Sequence, residues 1–320
     1  DFPPVTAAIL TEGDVFLSGG STLKSFGKFL GVPSTTWSSG GSLNTARTAF
    51  AGGGANNTSA IVFGGVPGSK SEAETYDGTS FTEVADLNTA RGYLGGANAG
   101  SQTAAMGFGG YGGSSYRNNT EKWNGSSWTE VNDMNTARLF VAGTGTQASA
   151  LGSGGYYPPS TVSNLVESWD GTSWTETTEI NTARSQAAAV GTGTASLLFG
   201  GDEYPGSPRE ANETESWNGT TWTELNNLNT ARRSVGNSGF GRQSQAILAG
   251  GGEPAVTAKC EAWNGSSWSE INEISTATRN TLGTGAGVAG MASGGYATAA
   301  TTTNEEFTVT TATLSTVTVS

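Results

Sequence analysis

Five arginines close five copies of one tetrapeptide, Asn-Thr-Ala-Arg, at Arg47, Arg91, Arg138, Arg184 and Arg232. Five glutamates, Glu74, Glu121, Glu167, Glu215 and Glu261, each follow one of these arginines further along the chain. Two chemistries fit such a set. A ring of guanidinium groups at a channel mouth could hold carboxylates, because the planar donor fork matches a carboxylate in two parallel hydrogen bonds. Alternatively each arginine clamps its own glutamate as a partly buried ion pair, which the equal numbers favour. Most other site chemistry is excluded by composition. The chain has no His and one Cys, Cys260. It therefore lacks a Ser-His-Asp or Cys-His nucleophile pair, a His-ligated metal, an imidazole proton shuttle and an internal disulfide. Paired carboxylates for glycoside hydrolysis are available, but repetition in register weakens the case for one unique catalytic pair. No cofactor, no metal and no enzymatic reaction are expected. A net charge of −12 argues against binding a phosphate backbone. No apolar run approaches the ~18 residues of a membrane-spanning helix, so membrane insertion is not expected either.

The elements that carry these residues repeat. Successive Asn-Thr-Ala-Arg starts lie 44, 47, 46 and 48 residues apart, and a degenerate copy, Ser275-Thr276-Ala277-Thr278, follows after 46. Seven residues before each copy stands an aromatic: Trp37, Phe81, Trp128, Trp174, Trp222 and Trp268. Five residues earlier stands another: Tyr76, Trp123, Trp169, Trp217 and Trp263. Seven Gly-Gly pairs, from Gly19-Gly20 to Gly294-Gly295, end apolar runs. A period near 46 with β signals throughout predicts a propeller blade of four short strands. Asp-Gly or Asn-Gly between the third and fourth strands, as in Asn124-Gly125, predicts a two-residue hairpin turn. That turn would set Trp123 opposite Ser126 and Glu121 opposite Trp128, with both tryptophans and the glutamate on the face that meets the next blade. The 49 Gly then belong to crowded inner strands and turns.

The chain is thus expected to be all-β, a single seven-bladed β-propeller of four-stranded antiparallel blades over residues 1–320, six blades being the alternative. Seven rests on the seven Gly-Gly pairs, on Phe307 standing in a first-aromatic position, and on the Thr/Val tail 308–320 as a last outer strand or a docking tail. The ordered set of Gly-Gly, Glu-x-Trp/Tyr and Trp-Thr-Glu before Asn-Thr-Ala-Arg resembles the kelch repeat, although kelch sequences usually carry Pro where Asn44, Asn88, Asn135, Asn181 and Asn229 stand. More narrowly, the repeats are similar to kelch-like arrays of virion-associated proteins in marine tailed phages. That resemblance implies a virion-surface or extracellular protein whose partners are other virion or surface proteins. The copper oxidases built on kelch repeats need His ligands, which this chain lacks.

Function is sought where the repeats disagree. The connection between the second and third strands varies from blade to blade and collects most of the tyrosines. It carries Tyr111, Tyr116 and Arg117, then Tyr156 and Tyr157 before Pro158-Pro159, then Tyr204 and Arg209, and finally Tyr296. Tyrosine offers large amphipathic contact area at low entropic cost, and such loops open on one face. These eight residues are the expected ligand-binding set. The expected role is a non-enzymatic binding or structural module that contacts a host surface, a glycan among the candidates, or another particle protein, with oligomerisation possible. The alternative is a secreted or cell-surface glycan-binding or glycan-active propeller.

Overall fold

The computed structural model describes residues 14–18, 22–26, 34–157, 161–205, 209–253 and 255–310. Two units are distinguished, Trp37–Phe307 and a second formed by Asp1–Thr36 with Thr308–Ser320. In the second unit Asp14–Ser18 pairs antiparallel with Thr22–Phe26 as a hairpin. Gly19-Gly20 and residues 311–320, on which part of the expected blade count rested, lie outside the described residues.

The ring is built of four-stranded antiparallel sheets. The first blade runs Ala51–Asn56, Ser59–Phe63, Ala73–Tyr76 and Phe81–Val84 from the axis outward. The innermost strands of the next four blades are Gly95–Gly96, Ala142–Gly145, Ala188–Thr192 and Gly239–Arg242. The sixth blade starts at Leu282–Ala286, continues through Ala289–Ser293 and Asn304–Thr310, and takes Ser34–Ser39 as its outermost strand. Six such sheets occur among the described residues, where seven were expected. The expected fourth strand of a first unit and third strand of a last unit belong to one blade. Trp37 packs at a tilt against Phe307, ring centroids 5.0 Å apart, and the outermost place expected for the tail is held by Ser34–Ser39. The ring closes hydrogen bond by hydrogen bond. Gly65 N donates to Arg91 O, Gly110 N to Arg138 O and Gly155 N to Arg184 O, and so on round to Gly295 N, which donates to Arg47 O.

The glycine pair makes that link possible. Gly64 and Gly65 sit at φ +69 and +112, and a methyl group on Gly64 would stand 2.7 Å from Arg91 O. Around the axis the constraint is crowding: a methyl on Gly143 would lie 2.4 Å from the Gly96 carbonyl of the preceding blade. The hairpins differ from expectation. Trp123 faces Trp128 directly and Glu121 faces Glu130, because the turn holds four residues, 124–127. Asn124 Oδ1 accepts from the amides of Ser126 and Ser127, and only Gly125 takes positive φ. Directly opposed residues also share a face, so the two rings meet as expected, 5.5 Å apart. Trp128 then packs edge-on against Phe63 of the preceding blade at 4.7 Å, and Trp174 and Trp268 repeat the contact on Phe108 and Phe199. Each such pair contributes roughly 0.5–1.5 kcal/mol beyond the area it buries. Core clusters accordingly straddle neighbouring blades, as where Ile61 and Phe63 pack with Leu94 and Trp123.

Candidate functional site: one rim of the propeller

The five arginines are structural. Arg138 Nη2 lies 2.8 Å from Glu167 Oε1, and both side chains are fully buried. Arg138 Nη1 also donates to the carbonyls of Gly154 and Leu165, while Glu167 accepts from the amides of Asn135 and Thr136. The same ion pair recurs at Arg47–Glu74, Arg91–Glu121, Arg184–Glu215 and Arg232–Glu261. Burial pulls the guanidinium groups of Arg91, Arg138 and Arg184 below their ordinary pKa, and the paired glutamate opposes that shift. With these side chains enclosed, no guanidinium of the set is open to a ligand. In the sixth blade Thr278 replaces the arginine, and Glu305 accepts only from backbone, the amides of Ser275 and Thr276.

Above the clamps the chain turns sharply. Two residues after each arginine, or after Thr278, a non-glycine residue adopts φ between 48 and 57: Ala49, Tyr93, Phe140, Gln186, Ser234 and Asn280. This conformation costs ~1–2 kcal/mol per residue and persists only where the surroundings impose it. Here they do. Tyr93 N donates to Ala49 O, Phe140 N to Tyr93 O, Asn280 N to Ser234 O and Ala49 N to Asn280 O, one blade to the next around the axis. The residue after each arginine pairs with the residue after the glycine pair in the same blade, as Leu139 with Tyr156 and Arg279 with Tyr296. The variable loops and the left-handed turns therefore form one rim.

The fifth blade departs from the others at the axis. Four residues lead from Arg184 to Ala188, the partner of Phe199, whereas six lead from Arg232 to Ser238, whose carbonyl accepts from Ala249 N. The extra pair, Gly236-Asn237, sends the Asn237 amide across the axis to the carbonyls of Phe50 and Leu94 in the first and second blades. Asn98 Nδ2 likewise reaches Ala189 O of the fourth blade. At the centre, Ala49, Tyr93, Phe140, Asn237 and Asn280 line a cavity of about 10 Å³. On the opposite face a mouth of about 490 Å³ is lined by inner-strand glycines and by Asn98, Thr192, Thr284 and Arg242, with no carboxylate among its lining residues.

The expected ligand-binding residues fall into groups. Tyr156, Tyr204 and Arg209 come together with Phe140 and Gln186 around a pocket of about 320 Å³ between the third and fourth blades. Arg209 stacks over Tyr204 at 4.9 Å and pairs with buried Asp202. Hydrogen bonding to Asp202 raises the Arg209 pKa further. Tyr296 lies on the other side of the ring, in a pocket of about 660 Å³ between the sixth and first blades, with Arg279 4.9 Å over its ring. Tyr111 and Tyr116 meet edge-on at 5.9 Å, and burial beside the Tyr156 and Tyr111 hydroxyls raises the Tyr116 phenol. Arg117 packs on its own loop, its Nε 2.4 Å from where a methyl on Gly112 would stand. Tyr157 pairs with Thr161 in a short hairpin and lines neither pocket. Pro158 and Pro159 lie outside the described residues.

Sequence reasoning missed the left-handed residues Tyr93, Phe140, Gln186 and Asn280, all of which line these pockets. The signal was present: this position carries six different residues in six repeats, beside an arginine that scarcely varies. It also missed Glu203, whose pKa rises to about 7 through burial and the adjacent Glu213 carboxylate.

No protein-family model matches the chain, and no curated protein does. Among solved structures the chain is similar to YjhT, with a TM-score of 0.67 and 15% identity over 82% of this chain and 95% of that one. With the four-stranded blades, this likeness establishes the fold as a β-propeller.

Proposed function

We propose that the chain is a non-enzymatic recognition module that binds through the rim bearing the variable loops. The observation that carries this reading is the contrast in the rim itself: the clamp beneath is the same in five blades, whereas the left-handed position and the loops above it change in every blade. A frame held constant under a varied, aromatic edge suits selection for contact with a partner. The carboxylate-free mouth on the opposite face supports recognition over hydrolysis, because glycoside cleavage requires two carboxyl groups flanking the bond. The repeat resemblance supports display on a virion surface, where the rim would meet a host surface or another particle protein. Binding of labelled wild type and a Tyr156→Ala/Tyr204→Ala variant to cells of candidate hosts tests the reading. The variant is expected to lose at least tenfold in binding; equal binding by the two proteins overturns it.

A further inference from the structure

The two rim pockets are repeat-equivalent. One lies between the third and fourth blades and the other between the sixth and first, three blades on, or half a turn of the ring. Each takes the tyrosine that follows a glycine pair, Tyr156 or Tyr296, and the left-handed residues on either side. They are also joined. Tyr93 lines the larger pocket, Phe140 lines the smaller, and the two rings pack on each other at 4.7 Å. An aromatic ridge thus runs across the second and third blades from one pocket to the other. Besides the Arg209–Asp202 pair and Arg279, the arc carries two planar amides, Gln186 and Asn280. Gln186 is fixed by Asp202 and by the Ser234 hydroxyl, whereas the buried Asn280 Oδ1 in the larger pocket has no hydrogen-bond partner among the described residues. A buried acceptor left unmade is costly unless a ligand supplies the donor.

From this geometry we infer that the arc is a track for an extended neutral glycan, with one sugar unit in each pocket and intervening units over the Tyr93–Phe140 ridge. The inference rests on the rim being the binding face. Pyranose rings present an apolar C–H face to an aromatic side chain and hydroxyl edges to amides. Asn280 Oδ1 would accept a sugar hydroxyl. A neutral chain suits a protein of net charge −12 whose Arg209 is paired with Asp202 and whose Arg279 lies over the Tyr296 ring.

Calorimetric titration with the hexaoses and bioses of cellulose, chitin, laminarin, mannan and amylose tests it. Variants can be taken from the protein's own repeats, so that each residue is one another blade holds in the same conformation: Tyr296→Val as at Val66, Asn280→Ser as at Ser234, and Phe140→Ser likewise. At least one hexaose is expected to bind, at least tenfold more tightly than its biose. Tyr296→Val and Asn280→Ser should each weaken the hexaose at least tenfold, and Phe140→Ser should abolish the advantage of hexaose over biose. Failure of all five series to bind, or binding unchanged in the three variants, overturns the inference. If that happens while Tyr156→Ala/Tyr204→Ala still loses cell binding, the rim remains the binding face and its ligand is not a neutral glycan.

Discussion

The clamp layer and the rim directly above it are a few residues apart in every repeat, yet they obey opposite rules. In the clamp layer, five blades carry the same arginine, the same glutamate and the amide of the tetrapeptide's asparagine onto the carboxylate. At the rim, two residues further on, the backbone conformation is held constant while the side chain is different in each of six blades. The difference teaches where the molecule tolerates change. A buried charge must keep its partner, because removing one leaves the other unpaired away from water. A rim side chain answers to no such constraint once the hydrogen bond from its own backbone is made.

Breaking the clamp should have the largest effect. Arg138→Ala leaves Glu167 buried with only the Asn135 and Thr136 amides and the Asn135 side chain as donors, and a loss of about 3–5 kcal/mol is expected, seen as a fall in the midpoint of urea unfolding. An unchanged midpoint would remove the clamp from the account. The sixth blade, which holds Glu305 without an arginine, shows that amides alone can be tolerated at one site, and so the loss belongs at the lower end of that range. A smaller effect is expected at the axis. Asn237→Gly keeps the left-handed turn but withdraws the amide from the Phe50 and Leu94 carbonyls, costing about 1–3 kcal/mol by the same measurement.

The rim should respond to pH through Glu203. Glu203, raised to about 7 from an ordinary 4.5, keeps its proton in the folded chain at pH values where the unfolded chain has released it. The folded state then binds more protons, so this group's contribution to stability falls as pH rises from about 4.5 to about 7. Glu203→Gln should flatten that part of a melting-temperature profile; a profile identical to wild type would show that Glu203 titrates normally. The smallest effect on stability is expected from Tyr156→Ala/Tyr204→Ala. These side chains are not in the buried core, and a change within about 0.5 kcal/mol is expected on unfolding. A loss as large as that of Arg138→Ala would mean that the rim is framework after all.

The same contrast explains what could be read in the sequence. The ion pairs were legible because their members recur in register, and the packing of Trp123 on Trp128 was legible because a turn of two or of four residues returns both rings to one face. The turn itself was misread. The Asn-Gly dipeptide favours a two-residue turn locally, but Asn124 instead accepts from two amides further on and holds a four-residue one. The partner of the N-terminal strand was hidden by topology. A repeat count assigns strands to units in chain order, whereas ring closure joins Ser34–Ser39 to Asn304–Thr310 across almost the whole chain. Tyr111, Tyr156, Tyr204 and Tyr296 stood out by type. Phe140 and Asn280 did not, because nothing in their types announces a left-handed turn; only comparison of the repeats at that one position reveals it.

The central claim is that recognition belongs to the rim and not to the mouth on the opposite face. The most direct measurement compares host-cell binding by three proteins that melt together: wild type, Tyr156→Ala/Tyr204→Ala, and Arg242→Ala at the opposite mouth. The tyrosine variant is expected to lose at least tenfold while Arg242→Ala binds as wild type does. Loss confined to Arg242→Ala, with the tyrosine variant unimpaired, would contradict it.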